Sequence, residues 1–348
     1  MSAGARGGGL TTITAQELLE MPLPRVPWVV EGILTTGLTV LAGAPKVGKS
    51  WLSLLIGLSV SMGEPFWGHE TAQGDVLYLC LEDTIARVQK RLQELTDEAN
   101  DCLHFTNVAG RLDDGLVDEL EGFLEEHPET RLVIVDTLQK VRRAAEHNLY
   151  AADYDDVGAL KNAADRHGIA IVVVHHTRKA ASDDVFATIS GTHGITGSAD
   201  SSMVLVRPSR SRGDATLSLT GRDVGDREFQ CRLVGCTWEL VRETSAEELE
   251  RRATPTVVTA VADHFGASPL PSWQGTASEL LDAIGDGETR PNVLTKLLNQ
   301  HEGYLLGRSI RYSMRRTASS RVIRLDREGR AGDDGNDTND DRTIGDDG

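Results

Sequence analysis

The stretch "GAPKVGKS", residues 43–50, matches the pattern G-x-x-x-x-G-K-[ST] of a phosphate-binding loop. The apolar run "LTVLAG" precedes it, and "KSWLSLLIGLSVSMG" follows with the pattern of a helix. This motif requires such a strand and helix, because the loop amides and the helix N-terminus then donate hydrogen bonds to phosphates. The sequence therefore predicts a nucleotide site formed by Gly43, Ala44, Pro45, Lys46, Val47, Gly48, Lys49, Ser50 and Trp51.

Two side chains of this loop and one acid further along the chain predict the cofactors. Lys49 would bring a cation to the β- and γ-phosphates, and the Ser50 hydroxyl would bind Mg²⁺. Asp136 ends the apolar run "LVIVD", so a buried strand would deliver its carboxylate to the metal, through water. An acid that only caps the following turn is the alternative for Asp136. We expect ATP and Mg²⁺, with Ser50 and Asp136 on the metal side.

The segments around the loop predict an α/β fold in which a mainly parallel sheet is covered by helices. Short runs rich in Val, Ile and Leu, such as "VLYLCLE", "RLVIVD" and "IAIVVVHH", alternate with helical patterns or loops. Strands buried on both faces have this continuous apolar character. Residues 201–242 carry further β-rich segments, which we expect to extend the same sheet.

Candidate catalytic groups follow two of the predicted strands. "VLYLCLED" supplies Glu82 and Asp83, and because strand side chains alternate, only one of them should face the γ-phosphate. We predict that Glu82 activates water and that Asp83 is the N-cap of a helix over 84–98, although the roles could be exchanged. "IAIVVVHH" ends in His175 and His176, either of which could sense the γ-phosphate or be structural.

Charge and composition exclude several classes of protein. A net charge of −17 argues against a protein that coats nucleic acid with its whole surface, but it leaves a basic channel or patch possible. The apolar runs are too short to span a bilayer of about 30 Å, and the N-terminus lacks the apolar region of a secretory signal. We therefore expect a cytoplasmic protein with no membrane partner. The cysteines have no paired spacing, which argues against disulfides and a zinc site.

Composition changes along the chain predict five segments. Residues 1–24 would be a flexible leader and arm, 25–244 the α/β nucleotide-binding domain, and 245–252 a linker helix. Three helical patterns followed by a hairpin pattern predict a small α+β domain of the winged helix-turn-helix type over 253–326. Residues 327–348 would be a disordered acidic tail.

The C-terminal domain has a basic segment within an otherwise acidic chain. "LLGRSIRYSMRRTASSRVIRL", residues 305–325, carries six arginines and no acid. Clustered arginines on a wing favour contact with a nucleic-acid backbone, whereas docking of a protein is the alternative. The candidate DNA contacts here are Arg308, Arg311, Arg315 and Arg316.

The ordered set "GAPKVGKS", "VLYLCLED", "LVIVD", "VVVHHTRK" and "ISGTHGITGSADSSMVL" resembles the RecA-like P-loop ATPases, over roughly residues 25–242. Within them it looks like the RepA-type hexameric replicative helicases of plasmids and mobile elements. The resemblance implies a homo-hexameric ring with ATP sites between subunits. It also implies single-stranded DNA as a partner, and a replication initiator or primase as a further one.

The resemblance also assigns roles to residues. It implies Glu82 as the catalytic base, Asp136 as the metal-side acid, and one histidine of the pair 175–176 as the sensor. It implies an arginine finger across the subunit interface, for which Arg222 is the candidate, with Arg207 and Arg212 in reserve. The family often has Lys and Arg close together at that strand end, whereas this chain has Thr and Gly before Arg222. The resemblance also implies that loops facing the central channel contact DNA, and the alternative is that these loops are solvated surface. The candidate DNA contacts in them are Lys140, Arg142, Arg143, Arg178 and Lys179.

These expectations define a leading function and two alternatives. The leading one is an ATP-hydrolysing, DNA-dependent motor, a ring-shaped replicative helicase. The first alternative is a RecA-like recombination or repair ATPase that forms filaments or remodels DNA without unwinding it. The second is a nucleotide-gated DNA-binding regulator in which the winged helix contacts the DNA.

Overall fold

A computed structural model describes residues 12–22, 27–143, 149–178, 182, 184–190, 193–209, 213–316 and 321–327. The chain divides into two compact units, Met1–Ser245 and Ala246–Gly348. Most of the predicted leader and acidic tail lies outside the described residues, as do Lys179 and Arg212. None of the described helices has the length and apolarity needed to cross a membrane.

The first unit contains a nine-stranded sheet with the strand order β11-β10-β9-β8-β3-β7-β6-β4-β5. Strands β5, β4, β6, β7, β3 and β8 run parallel, and β9, β10 and β11 continue the sheet antiparallel. The predicted helix-covered α/β sheet is confirmed. The strands are β3 (Gly37–Gly43), β4 (Asp75–Cys80), β5 (Leu103–Thr106), β6 (Thr130–Asp136), β7 (Ala170–His176), β8 (Ser201–Val206), β9 (Asp214–Gly221), β10 (Arg227–Val234) and β11 (Thr237–Thr244). A separate antiparallel pair, β1 (Trp28–Val30) and β2 (Leu34–Thr35), precedes them.

Helices cover both faces of this sheet because alternate strand residues face opposite apolar clusters. On β6, Leu132 and Ile134 belong to one cluster, and Val133 and Val135 belong to the other. Full burial of both faces explains why the strand sequence is continuously apolar. The helices are α1 (Ala15–Glu20), α2 (Lys49–Met62), α3 (Ile85–Leu95), α4 (Leu116–Glu126), α5 (Leu138–Val141), α6 (Leu149–His167) and α7 (His193–Ser198), with a 3-10 helix at Phe186–Thr188.

Parallel pairing brings the predicted site residues to one edge of the sheet. Gly43, at the end of β3, is in register with His176, at the end of β7. Cys80, at the end of β4, is in register with Asp136, at the end of β6. Since ligands of α/β sheets bind beyond the carboxyl ends of parallel strands, this edge is where a nucleotide site is expected.

The second unit has its own apolar core, with a three-stranded antiparallel sheet ordered β12-β14-β13. It has the helices and hairpin that the sequence predicts, and it adds β12. The third predicted helix is divided at His301, whose backbone angles (φ −115°, ψ 29°) leave the helical range. The elements are α8 (Ala246–Ala253), α9 (Thr256–Ala267), β12 (Ser272–Gly275), α10 (Ala277–Ile284), α11 (Pro291–Gln300), α12 (Glu302–Leu306), β13 (Ile310–Arg316) and β14 (Arg321–Arg327). The winged-helix assignment stays a prediction.

The prediction that Asp83 caps a helix over 84–98 is wrong. The helix is α3, Ile85–Leu95, and its N-cap is Thr84, whose hydroxyl accepts a hydrogen bond from the Arg87 backbone N–H at 3.3 Å. The Asp83 carboxylate instead accepts from the Arg87 side chain at 2.6 Å and pairs with Arg91. Threonine and aspartate both cap helices. Because Thr84 is the cap here, the Asp83 carboxylate pairs instead with the arginines of α3.

Candidate nucleotide-binding site

The loop Gly43–Ser50 turns directly into α2. Gly48 is the N-cap of the helix, with φ 110° and ψ 17°, a conformation that favours glycine. Lys49 is 6% exposed, and its ammonium donates to the carbonyls of Gly43 at 2.8 Å and Ala44 at 3.2 Å. The lysine therefore ties the start of the loop to its end. Its cation lies at a helix N-terminus, where anions usually bind, so both features favour a phosphate.

Asp136 and Ser50, the two residues predicted to bind the metal, are hydrogen-bonded to each other. Asp136 is 6% exposed, and its carboxylate accepts hydrogen bonds from Ser50 and, at 2.9 Å, from the Tyr78 hydroxyl. Tyr78 is in turn 2.8 Å from the Ser53 hydroxyl. Burial raises the pKa of Asp136, and the bonds from Ser50 and Tyr78 oppose that rise. A hydroxyl beside a desolvated carboxylate is the hard oxygen set that Mg²⁺ prefers, so these residues fit the metal.

Both acids that follow β4 line the same cleft, but their surroundings differ. Glu82 accepts a hydrogen bond from the Thr137 hydroxyl at 3.1 Å. Asp83, whose side chain is 12% exposed, is held between Arg87 and Arg91. The cleft has a volume of about 400 Å³. Its lining consists of Lys46, Gly48, Lys49, Ser50, Trp51, Glu82, Asp83, Arg87, Arg91, Asp136, Thr137, Val174 and His176.

The structure separates the two histidines that end β7. His176 lines the cleft, with Nδ1 3.5 Å from the Lys49 ammonium. His175 is buried, and its Nε2 is 3.0 Å from the Ser190 carbonyl. Burial lowers the pKa of His175 to about 4, so its imidazole is neutral at pH 7. Of these two histidines, His176 is the one that could contact a bound phosphate.

Arg222 lies immediately after β9 and does not line the cleft. Its side chain is 61% exposed and lies 3.5 Å from the Asp200 carboxylate. A second guanidinium nitrogen is 3.4 Å from the Gly197 carbonyl. Exposed ion pairs of this kind contribute little to stability, so the arginine is held only weakly in this position.

The cations after β6 divide into an exposed lysine and two paired arginines. Lys140 lies on α5 with its side chain exposed. Arg142 pairs with Asp153, and Arg143 pairs with Asp156 at 2.5 Å. Both acids are 1% exposed and belong to α6. These two arginines therefore fasten the segment after β6 to a neighbouring helix.

The other predicted cations lie on exposed surface or in local ion pairs. Arg178 is exposed, and its guanidinium donates to the Ala187 carbonyl at 3.3 Å. Arg308 pairs with Glu247 at 3.4 Å and Asp263 at 3.8 Å, and it lies over the Tyr304 ring. Along β13 the exposed arginines are Arg311, Arg315 and Arg316.

Trp238, on β11, supports the phosphate-binding loop and was not predicted from the sequence. Its indole N–H donates to the Gly48 carbonyl at 3.0 Å, and the side chain is 1% exposed. A Cβ added to Gly48 would lie 2.7 Å from the indole ring. Because β11 is four strands away from β3, the antiparallel part of the sheet must curl over the start of α2. No local pattern could have revealed a contact between residues 190 positions apart.

Other residues missed by the sequence analysis are Tyr78, Arg87, Arg91 and Thr137. Arg91 lies 5.5 Å from the Trp51 ring centre and so closes one side of the cleft. The spacing of Arg87 and Arg91 was the available signal, since residues four apart share one helical face.

The indole contact predicts that Trp238→Phe weakens nucleotide binding. Phenylalanine keeps the apolar ring but removes the donor to the Gly48 carbonyl, a loss of about 1 kcal/mol or roughly fivefold in Kd. Equilibrium binding of ADP measures the effect. Trp273→Phe, the same change in the second unit, is the control and should bind like the wild type. Equal affinity of both variants would contradict a supporting role for Trp238.

The buried lysine predicts that nucleotide affinity depends on pH. Burial lowers the pKa of Lys49 from 10.5 to about 8, while the Asp136 and Glu82 carboxylates oppose the shift. Since only the ammonium form attracts phosphate, the contribution of Lys49 to affinity should be level below pH 7 and fall as pH rises through 8. The fall above that pKa is at most about tenfold per pH unit.

This dependence is measured with a non-hydrolysable ATP analogue from about pH 6 to about pH 9.5. In Lys49→Arg the guanidinium stays charged over this range, so ionisation of residue 49 cannot change the nucleotide affinity that remains. A wild-type profile parallel to that of Lys49→Arg would contradict the assignment to Lys49.

Comparison with known proteins places this geometry in a family. No curated protein matches the chain. One solved structure, described as an ATPase domain, is 14% identical with a TM-score of 0.49, over 60% of this chain and 85% of the other. A DnaB-like replicative helicase, described with its interactions with primase, is 14% identical with a TM-score of 0.48, over 61% of this chain and 58% of the other. The family described as AAA domain matches residues 8–182, half of the chain. The chain belongs to this AAA-domain family.

Proposed function

We propose that this chain is an ATP-hydrolysing, DNA-dependent motor that acts in the cytoplasm as a ring-shaped replicative DNA helicase of the RepA type. One observation carries the proposal: Lys49, Ser50, Asp136 and Glu82 line a single cleft at the carboxyl edge of a parallel sheet. These are the groups needed to bind phosphates, hold a metal ion and activate water. The proposed cofactors are ATP and Mg²⁺.

The loop and its neighbours bind the nucleotide in this proposal. The N-terminal amides of α2 and the Lys49 ammonium bind the phosphates, and Trp238 holds the Gly48 carbonyl in place. The Ser50 hydroxyl and the Asp136 carboxylate would hold Mg²⁺, which when bound would offset the charge that develops on the phosphates. Tyr78 orients Asp136 by donating to it at 2.9 Å.

Glu82 is the better candidate for the general base. The Asp83 carboxylate is committed to Arg87 and Arg91, so its oxygens are occupied by guanidinium groups and are less free to hold an attacking water. Glu82 has one neutral hydroxyl donor, Thr137, which can orient the carboxylate without neutralising it. Glu82 would therefore take a proton from the attacking water, while Asp83 holds the arginines of α3 beside the cleft.

His176 is the better candidate for the sensor. Its ring lies beside Lys49, and its carbonyl accepts a hydrogen bond from the Ser190 N–H at 2.9 Å. The next residue, Thr177, donates its N–H to the Gly43 carbonyl at 3.3 Å. A shift of the ring on phosphate binding would therefore reach the loop after β7, where Arg178 lies.

We assign Arg222 to the neighbouring subunit's site. Arg222 does not line the cleft of its own subunit. Its ion pair with Asp200 is exposed and weak, so the side chain can reorient at low cost. A finger arginine supplied in trans can contribute a rate factor of about 10³ to 10⁵. A homo-hexamer with ATP sites between subunits would use it in this way.

Single-stranded DNA is the proposed nucleic-acid partner of the first unit. Lys140 and Arg178 follow β6 and β7 at the same edge of the sheet as the cleft, and Lys179 is the next residue in the sequence after Arg178. Arg142 and Arg143 are less suited to DNA because moving to it would break their ion pairs with the buried acids Asp153 and Asp156. Phosphate contacts of this kind are independent of sequence and sensitive to salt.

A surface of the second unit favours the nucleotide-gated regulator as a second candidate function. Arg311 and Arg315 project from one face of β13, and Arg316 lies at its end opposite Arg321. Such a surface suits a DNA backbone, or else an acidic face of a replication initiator or primase. A regulator would bind DNA through this surface and use the nucleotide only to change state.

Turnover and unwinding test the function. The wild type with Mg²⁺ should hydrolyse ATP faster with single-stranded DNA and should displace a strand from a forked duplex. Glu82→Gln should keep nucleotide affinity and lose about 10² to 10⁴ in turnover, whereas Asp83→Asn should lose much less. The reverse order would make Asp83 the base. DNA-independent turnover without unwinding would favour the regulator.

Mixed rings test the placement of Arg222. Lys49→Ala and Arg222→Ala should each abolish turnover alone, but only Lys49→Ala should lose nucleotide binding. When the two variants are mixed, some interfaces combine an intact lysine with an intact arginine from the neighbour. Turnover should then reappear. Mixtures that remain inactive while assembling normally would contradict an arginine supplied in trans.

A further inference from the structure

Three potential metal ligands meet at the amino end of the sheet, away from the nucleotide cleft. Asp75 is the first residue of β4, His104 lies on β5, and His127 follows α4 as its C-cap. The carboxylate and the two imidazoles offer ligand atoms that all lie within 4.8 Å of one another. Since Cys80, at the other end of β4, is in register with the cleft residue Asp136, five residues of strand, roughly 16 Å, separate the two places.

The spacing of these atoms is close to that of a zinc site. His104 Nε2 lies 3.4 Å from one Asp75 oxygen, and His127 Nδ1 lies 3.7 Å from the other. In a tetrahedral site with bonds of about 2.0 to 2.1 Å, neighbouring ligand atoms are ~3.3 Å apart. Because the ligand atoms of the three groups lie within 4.8 Å of one another, an ion between them would need side-chain shifts on the order of 1 Å.

Packing holds the two imidazoles in this arrangement. The rings are 4.4 Å apart, and both contact Phe123: His127 stacks on it at 4.3 Å and His104 meets its edge at 5.3 Å. The His127 backbone is fixed from both sides, since its N–H donates to the Phe123 carbonyl and its carbonyl accepts from the Thr130 hydroxyl. Ligand rings fixed by their surroundings reduce the cost of ordering a metal site.

The carboxylate is fixed as well, and a thiol lies beside it. The Asp75 N–H donates to the Glu129 carbonyl at 3.1 Å. Cys102, two residues before His104, makes a side-chain hydrogen bond with Asp75. The donor atoms are two imidazole nitrogens and a carboxylate oxygen, which suit Zn²⁺ and related ions better than Mg²⁺ or Ca²⁺.

We propose that Asp75, His104 and His127 form a binding site for a divalent transition-metal ion of the zinc class. The ion would join β4, β5 and the turn between α4 and β6. Strand β5 is a four-residue edge strand of the sheet and is only half-buried. A metal that fastens it would stabilise the edge of the sheet without contacting the nucleotide. The metal site is independent of the function proposed for the cleft.

Metal titration of the full-length, untagged protein tests this site. After treatment with a chelator, the protein is titrated with Zn²⁺ in competition with a chromophoric chelator, without nucleotide. We expect one tightly bound ion per chain and a rise in Tm on binding, since an ion that binds only the folded state stabilises it. His104→Gln and His127→Gln should each weaken binding by at least about tenfold and lose the Tm rise.

Two controls locate the ion. Ser50→Ala alters the proposed Mg²⁺ position and should leave Zn²⁺ affinity unchanged. His167→Gln removes an imidazole that lies 2.5 Å from the Glu121 carboxylate on the surface and that belongs to no three-ligand cluster among the described residues, and it should also bind normally. Unchanged Zn²⁺ affinity in both His104→Gln and His127→Gln, or loss of binding in Ser50→Ala, would overturn the proposal.

A spectroscopic measurement on the wild type covers the case in which the glutamine variants fail to fold. X-ray absorption at the zinc edge of the loaded protein should show two imidazole ligands and zinc–ligand distances of about 2.0 to 2.1 Å. A spectrum without imidazole scattering, or one from an ion coordinated by oxygen alone, would also overturn the proposal.

Discussion

The cleft depends on the parallel pairing of four strands, β3, β7, β6 and β4, which end at the same edge of one sheet. Parallel pairing leaves every carboxyl end on one side, so residues far apart in sequence arrive together. The register then fixes their neighbours: Gly43 meets His176, and Cys80 meets Asp136. The remaining features of the site, the helix terminus and its cation, extend from this edge.

Burial of charge gives this edge its chemical character. Lys49 and Asp136 are each 6% exposed, and desolvation is the largest cause of the shift in both pKa values. Each group is then supported by neutral dipoles, the Gly43 carbonyl for the lysine and the Tyr78 hydroxyl for the acid. Desolvated charges with few competing waters interact strongly with an incoming phosphate and cation. The same burial requires the site to be built accurately, because an unpaired charge there would destabilise the fold.

The sequence predicted the parts of this site that depend on local pattern. The loop motif, the apolar strands and the polar residues at their tips all lie within short segments, and the sheet brought Lys49, Ser50, Asp136, Glu82 and His176 into one cleft. Local pattern could not decide between Asp83 and Thr84 as a cap, because both residue types cap helices and the choice depends on the arginines of α3. It also could not predict Trp238 or the cluster at Asp75, since those contacts exist only after distant strands have paired.

The curl of the sheet over α2 places a chromophore against the nucleotide-binding loop. Trp238 is fully enclosed, and its indole nitrogen lies 3.0 Å from the Gly48 carbonyl. Emission from an indole depends on the dipoles and hydrogen bonds around it, so a small change in the loop backbone alters the light it emits. The protein therefore contains an intrinsic optical reporter of its own loop, readable without a dye or any chemical label.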